Sequence, residues 1–212
     1  MRFLALLLSF AVSLSACAQE SNESAAFEEG KHYQVIANPI KSAGDSVQVT
    51  EFFWYGCGHC FAFEPLLNTW KAKLPEGAEL VKSPAMWRPV MESHARVYYT
   101  AKTLGMEDDA SKQFFEEMNV KGKKMSNAQE IEAFFVGLGV KAEKFRKVYN
   151  SFSVKNQVSI ADSKARSVPI TGTPELLVDG RYRITSTMAG GQSEMLKVAE
   201  YLVAKALDEK GR

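Results

Sequence analysis

Cysteine and histidine are scarce in this chain, with 3 of each in 212 residues. A small disulfide-stapled scaffold needs several cysteine pairs, so that class is excluded. A structural zinc site needs four thiolate or imidazole ligands at suitable spacing. Here Cys57 and Cys60 form one pair, no second pair exists, and His32 and His94 stand alone as surface or packing residues. No metal is expected. Neither sign of charge is in surplus. Lys plus Arg number 26 and Asp plus Glu 25, which gives neither the basic field of a nucleic-acid binder nor an acidic solvating tail. No repeat or low-complexity tract is present. After Leu14 no run is long and apolar enough to span a bilayer. The apolar share of 46% and charged share of 24% are those of an ordinary globular domain.

The one long apolar run lies at the start. Met1-Arg2 is a short positive opening, and Phe3 to Leu14 is apolar throughout apart from Ser9 and Ser13. That length suits the hydrophobic region of a secretory signal rather than a membrane span. Leu14-Ser15-Ala16-Cys17 has the pattern of a bacterial lipoprotein signal, which makes Cys17 a lipidation candidate. Ala16-Cys17-Ala18 also fits ordinary cleavage after Ala18. Residues 1–17 are therefore read as a signal segment, with lipidation the preferred of the two. Residues 18–30 are rich in Ser, Glu, Gln and Asn and read as a flexible tether. Cleavage removes Cys17 or lipidation caps it, which leaves two free thiols for an oxidising compartment.

Val47 to Trp54 is β-branched and aromatic, and reads as a buried strand. The dithiol follows at once. Phe61 to Trp70 then carries apolar residues at helical spacing, with Pro65 expected to kink or interrupt the first turns. Leu74-Pro75-Glu76-Gly77 is a turn, and Ala78 to Lys82 a second strand. From about 90 to 166 the alternation gives way to helical periodicity, near 91–104, 108–118, 127–137, 141–150 and 154–166. Ser126-x-x-Gln129 reads as a capping box for the third of these. Two short strands, Glu175 to Val178 and Arg181 to Ile184, flank the hairpin signal Asp179-Gly180. A last helix fills 192–207. The fold class is α/β with an all-helical insertion: 31–89 and 167–212 form the two parts of one domain, and 90–166 the insertion.

The pair Cys57-Gly58-His59-Cys60 carries the chemistry. A structural disulfide across so short a loop gains little from closure entropy. Redox use fits better. Lying between a buried strand and a helix, Cys57 falls at a helix N-terminus, where free N–H groups and the dipole stabilise a thiolate. Cys60 lies one turn further in and is more buried. Cys57 is thus the attacking sulfur and Cys60 the resolving one, with His59 adding positive charge or a hydrogen bond. No cofactor is needed for exchange between sulfurs.

Further features carry a resemblance. Glu51-Phe52-Phe53, Cys57-x-His59-Cys60, Phe63-Glu64, Leu74-Pro75-Glu76-Gly77, Asn150-Ser151-Phe152-x-Val154-Lys155 and Gly172-x-Pro174 before Val178-x-Gly180-x-Tyr182 together resemble the periplasmic DsbA family of Gram-negative bacteria. A depressed cysteine pKa and an oxidising potential are established for that family. The resemblance implies a thioredoxin fold interrupted by helices. It implies a periplasmic enzyme that oxidises thiol pairs in reduced, unfolded exported proteins. A DsbB-like quinone-linked membrane oxidase would then reoxidise it. It implies that Pro174 is a cis-proline, with Thr173 and Gly58 beside the sulfurs where a substrate segment pairs. It also implies that Glu51 and Lys82 form a buried acid–base pair that relays the Cys60 proton. A monomer is expected. Two departures stand out: Gly58-His59 where the family commonly has Pro-His, and Thr173 where many members have Val. Both bear on redox potential and substrate range. An isomerase or reductase using the same sulfurs is the first alternative. A peptide-binding holdase with a non-essential thiol pair, suggested by Phe52 to Tyr55, is the second.

Overall fold

The computed structural model describes residues 27–41 and 44–211. Cys17, the signal segment and most of the tether lie outside them. Residues 27–30, also read as tether, sit on the body instead: Phe27 packs against Tyr201 with ring centroids 5.6 Å apart. Phe27 is the large apolar side chain of that polar stretch, and burial of its ring is what draws the segment in.

The sheet is built around β2 (Val47–Phe53), buried almost throughout because it lies between two neighbours and has both faces covered. β1 (Gln34–Val35), β3 (Ala78–Pro84), β4 (Glu175–Val178) and β5 (Tyr182–Thr185) complete it in the order β1-β5-β4-β2-β3. β3 runs parallel to β2, with Val47 opposite Ala78 and Glu51 opposite Lys82. β4 runs antiparallel on the other side, with Glu51 opposite Leu176. The β4–β5 hairpin turns at Asp179 and Gly180, both left-handed at φ 49° and 65°. That is the signature of the tight turn expected from Asp-Gly. Gly180 is needed twice over, since a Cβ there would lie 1.8 Å from the Ile40 carbonyl oxygen.

α1 (Gly58–Lys71) lies on one face and buries Cys60, Phe63, Leu67 and Trp70. Pro65 sits inside this helix without interrupting it, contrary to the alternative that it breaks the first turns. α2 (Pro89–Thr103), α3 (Glu107–Asn119), α4 (Ala128–Gly137), α5 (Ala142–Tyr149) and α6 (Phe152–Ser167) run between β3 and β4. They share an aromatic-rich core, including Tyr98, Phe114, Phe115, Phe135 and Phe145, that reaches Phe53, Tyr55 and Cys60. α6 also covers the second sheet face, where Ala165 and Val168 meet Phe52 and Leu177. A short α7 (Ser186–Ala189) leads to α8 (Gln192–Glu209), which packs beside α1 on Val47, Val49 and Leu176.

The capping box of α4 is displaced by one residue from the sequence expectation. Asn127 is the cap and accepts the Glu130 N–H at 2.9 Å, while Glu130 accepts the Ser126 N–H at 2.8 Å. Asparagine outranks most residues at this position, and Glu130 lies three residues on, where Gln129 would not reach back. Asn127→Ala is expected to lower stability by about 1 kcal/mol in urea denaturation, and Ser126→Ala by much less.

Candidate active site

β2 ends at Phe53, and the next residues are fastened to the helical block before the chain reaches the dithiol. The Trp54 indole N–H donates to His94 Nδ1 at 3.0 Å, and His94 Nε2 donates to the Met125 carbonyl at 3.0 Å. Burial lowers the His94 pKa, so the ring stays neutral in that tautomer. His94 is thus a buried packing residue, the second of the two roles its isolation allowed. The Tyr55 hydroxyl pairs with Ser111 at 2.7 Å, and the Tyr55 carbonyl accepts from Asn119 at 2.8 Å. Gly56 follows. A Cβ there would lie 2.4 Å from the Trp54 ring, so the turn tolerates glycine alone. Gly56 belongs to no motif, and its placement between an aromatic pair and a cysteine is the signal it offers in the sequence.

This turn delivers Cys57 as the N-cap of α1. Its sulfur accepts the Cys60 N–H at 3.4 Å. The Cys57 pKa is lowered to about 5, chiefly because the Cys60 thiol donates to its sulfur. Partial burial opposes this, and the Thr173 hydroxyl and the backbone N–H groups of Cys60 and His59 reinforce it. Cys60 is fully buried and its pKa is pushed far up, first by burial, then by the proton it gives Cys57 and by the charge of Glu51. The two sulfurs therefore divide as proton acceptor and proton holder. Both are free thiols.

His59 is exposed, and its backbone rather than its ring is what meets the Cys57 sulfur. Its carbonyl accepts from Gln192 at 2.7 Å. Gly58 is exposed too, and a Cβ there would find only the Asn119 amide oxygen, at 3.9 Å. Thr173 lies opposite, with its carbonyl oxygen 3.2 Å from the Cys57 sulfur, a hydrogen bond that only the protonated thiol can make. The Thr173-Pro174 peptide is cis.

Glu51 projects from the middle of β2 and is fully buried. Its nearest cation is Lys82, opposite it on β3, at 3.6 Å, and neither carboxylate oxygen has a hydrogen-bond partner. Burial raises the Glu51 pKa to about 7, Lys82 opposes the rise, and Glu64 adds to it. Lys82 is bound more tightly to Glu64 on α1 than to Glu51. Burial works against the lysine's charge, but the two carboxylates outweigh it and raise its pKa. The acid–base pair expected at Glu51 and Lys82 is thus a triad. Glu64 stands one helical turn beyond Cys60, facing the neighbouring strand, and that i+4 spacing was the signal for it. Met86 and Met91 are core residues, whereas Trp87 is 53% exposed and donates its N–H to Met91 sulfur at 3.5 Å.

Residues 71–203 match the DSBA-like thioredoxin domain family. That span begins after the dithiol and covers the helical block and the second half of the sheet. Full-length relatives extend the likeness across the cysteines. The chain is 37% identical over 180 residues to the thiol:disulfide interchange protein DsbA of Pseudomonas aeruginosa, covering 84% of this chain and 85% of the relative. It is 34% identical over 186 residues to the protein of the same name from Azotobacter vinelandii, covering 87% and 86%. The crystal structure of Pseudomonas aeruginosa DsbA superposes with a TM-score of 0.84 at 35% identity, over 89% of this chain and 99% of that one. Sequence, fold and the placement of two unlike sulfurs at one helix start converge, and the chain belongs to the DsbA-like thioredoxin family.

Proposed function

We propose that this chain is a thiol:disulfide oxidoreductase that introduces disulfide bonds into exported proteins by exchange at Cys57 and Cys60. One observation carries the reading: a half-buried Cys57 caps the start of α1 with its sulfur accepting the Cys60 N–H, above a fully buried Cys60, an arrangement that favours the anion at the first sulfur and the thiol at the second.

The working form has a Cys57–Cys60 disulfide. A substrate thiolate attacks the accessible Cys57 sulfur, the bond between the two cysteines breaks, and Cys60 leaves as a thiolate. Cys60 then takes a proton, and Glu51, whose pKa burial lifts to about 7 against the pull of Lys82, is the acid that gives it. The mixed disulfide is resolved when a second substrate thiolate attacks the first substrate sulfur. Cys57 departs as a thiolate, and its low pKa makes it a good leaving group. The substrate loses two electrons and gains a disulfide, and the protein gains those electrons.

Thr173, Pro174 and Gly58 border Cys57 and form the surface against which an extended substrate segment pairs. His59 contributes its backbone N–H to the Cys57 sulfur while its side chain is exposed. In this reading the partners are reduced, unfolded exported proteins and a DsbB-like quinone-linked membrane oxidase that restores the disulfide. The protein acts in the periplasm as a monomer, with Cys17 as its lipid anchor.

The oxidised protein, mixed with a reduced unfolded substrate, is expected to transfer its disulfide stoichiometrically, as followed by free-thiol counting. A substrate that keeps all its thiols while Cys57–Cys60 stays oxidised would overturn the reading.

A further inference from the structure

A buried ion pair lies just behind the Thr173 turn, and the exchange chemistry above makes no use of it. Glu175, the first residue of β4, is 3% exposed, and Arg183 on β5 is 8% exposed. Charged side chains are seldom buried so far unless paired and hydrogen-bonded. The hairpin register brings them together. Glu175 stands opposite Thr185, and Leu177 opposite Arg183, so the two charges are diagonal neighbours.

The contacts are two-pronged. Arg183 Nε and Nη2 lie 2.6 and 2.9 Å from the two Glu175 oxygens, the planar geometry that favours arginine over lysine. Arg183 also reaches Thr171 Oγ1 at 3.0 Å and Gln34 Oε1 at 3.1 Å. The same Glu175 oxygen that meets Nη2 accepts the N–H groups of Thr171 and Gly172, both at 2.9 Å, and the Thr171 hydroxyl at 3.1 Å. One carboxylate thus ties down two successive backbone amides. The next residue is Thr173, whose carbonyl meets the Cys57 sulfur.

We propose that Glu175 and Arg183 are positioning residues for the exchange reaction, holding the Thr171-Gly172 turn so that Thr173 keeps its place against the Cys57 sulfur. Stability alone does not explain the pair. Well-packed apolar residues commonly replace a buried ion pair without loss of stability. What an apolar side chain cannot do is accept two N–H bonds and fix the turn that carries Thr173. Misplacement by about 1 Å is enough to lose contacts made at a reacting atom. This inference rests on the oxidoreductase reading above.

The test compares Glu175→Gln, the double variant Glu175→Leu with Arg183→Met, and each of these combined with Thr173→Val. Cys57 is titrated by thiolate ultraviolet absorbance, and the dithiol is equilibrated with glutathione. The double variant is expected to fold and to raise the Cys57 midpoint by about one pH unit. The equilibrium with glutathione then moves about tenfold towards the protein disulfide, some 30 mV less oxidising. Glu175→Gln keeps an acceptor oxygen and is expected to show a smaller rise, so it carries the test if the double variant does not fold. With Thr173→Val present the hydroxyl is gone while the backbone carbonyl stays, so the part of the shift carried through the hydroxyl should vanish. An unchanged midpoint in the folded variants, or the same shift with and without Thr173→Val, would overturn the proposal. A wild-type protein that fails to oxidise its substrate would instead overturn the functional reading, so the two failures are distinct.

Discussion

Cys57→Ala and Cys60→Ala are each expected to abolish disulfide transfer, since neither can form the disulfide that is handed on, but only Cys60→Ala is expected to trap a substrate that already carries a disulfide. Cys57 is the sulfur that reaches solvent, so without it no mixed disulfide forms. Cys60 is fully buried and meets no substrate. In Cys60→Ala the Cys57 thiolate still attacks a substrate disulfide and expels one substrate sulfur as a thiolate. No resolving thiol follows, and the mixed disulfide accumulates. A non-reducing gel or an intact-mass measurement distinguishes the two variants. Alkylation of Cys57 in Cys60→Ala adds a pH axis. The Cys60 thiol is the largest stabiliser of the Cys57 anion, so its removal moves the reactivity profile to higher pH than in the wild type. Substrate processing that survives Cys57→Ala would instead favour a binding protein whose thiols are dispensable.

The dithiol and its setting were legible in the sequence because they depend on local order. A β-branched strand followed by Cys-x-x-Cys and a helix places one sulfur at the helix start and the other a turn inside. Asp179-Gly180 announced its hairpin for the same reason, since the turn needs two left-handed residues in succession. Element ends were less legible. α1 begins at Gly58 rather than Phe61 because Cys57 itself is the cap, and β3 continues to Pro84 because it stays in register with β2 to Phe53. Hydrophobic periodicity does not report a cap made by sulfur.

Long-range polar partners were legible only where the resemblance named them. Glu51 and Lys82 came from it as a pair, whereas Glu64 stood among its motif residues without a role, although it holds Lys82 more closely. Glu175 and Arg183 were missed. Each looks like a solvent-facing position in a short strand, and only the paired register of β4 and β5 shows them meeting inside. His94 likewise gave no sign that it would join Trp54 to Met125 across 31 residues of helix and loop. These groups lie far apart in sequence, and the sheet order that unites them depends on packing the whole chain at once.

The reduced protein is expected to gain stability over the oxidised protein as pH rises from about 5 to about 8. The reason is linkage. In the folded reduced state Cys57 titrates at about 5, whereas a free thiol titrates near 8.5. Its folded pKa is depressed, so its contribution is present above the unfolded value and is lost as pH falls through the folded one. The oxidised protein has no thiol to titrate. Glu51 acts in the opposite sense. Its folded pKa is raised to about 7, so its contribution is present below the ordinary carboxyl value and fades as pH rises through 7. Glu51 is present in both redox forms, so the part of its effect that does not depend on the thiols cancels in the difference between them. Cys60 remains a thiol in the folded and unfolded states across this window. The difference should therefore climb by at most about 1.4 kcal/mol per pH unit, and by less where solvent at the half-exposed sulfur screens the interaction. Urea denaturation of both redox forms at several pH values measures it. A difference that stays flat from pH 5 to pH 8 would mean that Cys57 is not held as an anion, and would remove the energetic basis for the disulfide as an oxidant. A slope that flattens in Thr173→Val would assign part of that energy to the hydroxyl across the cleft, tying stability, redox poise and the Thr173 turn to one sulfur.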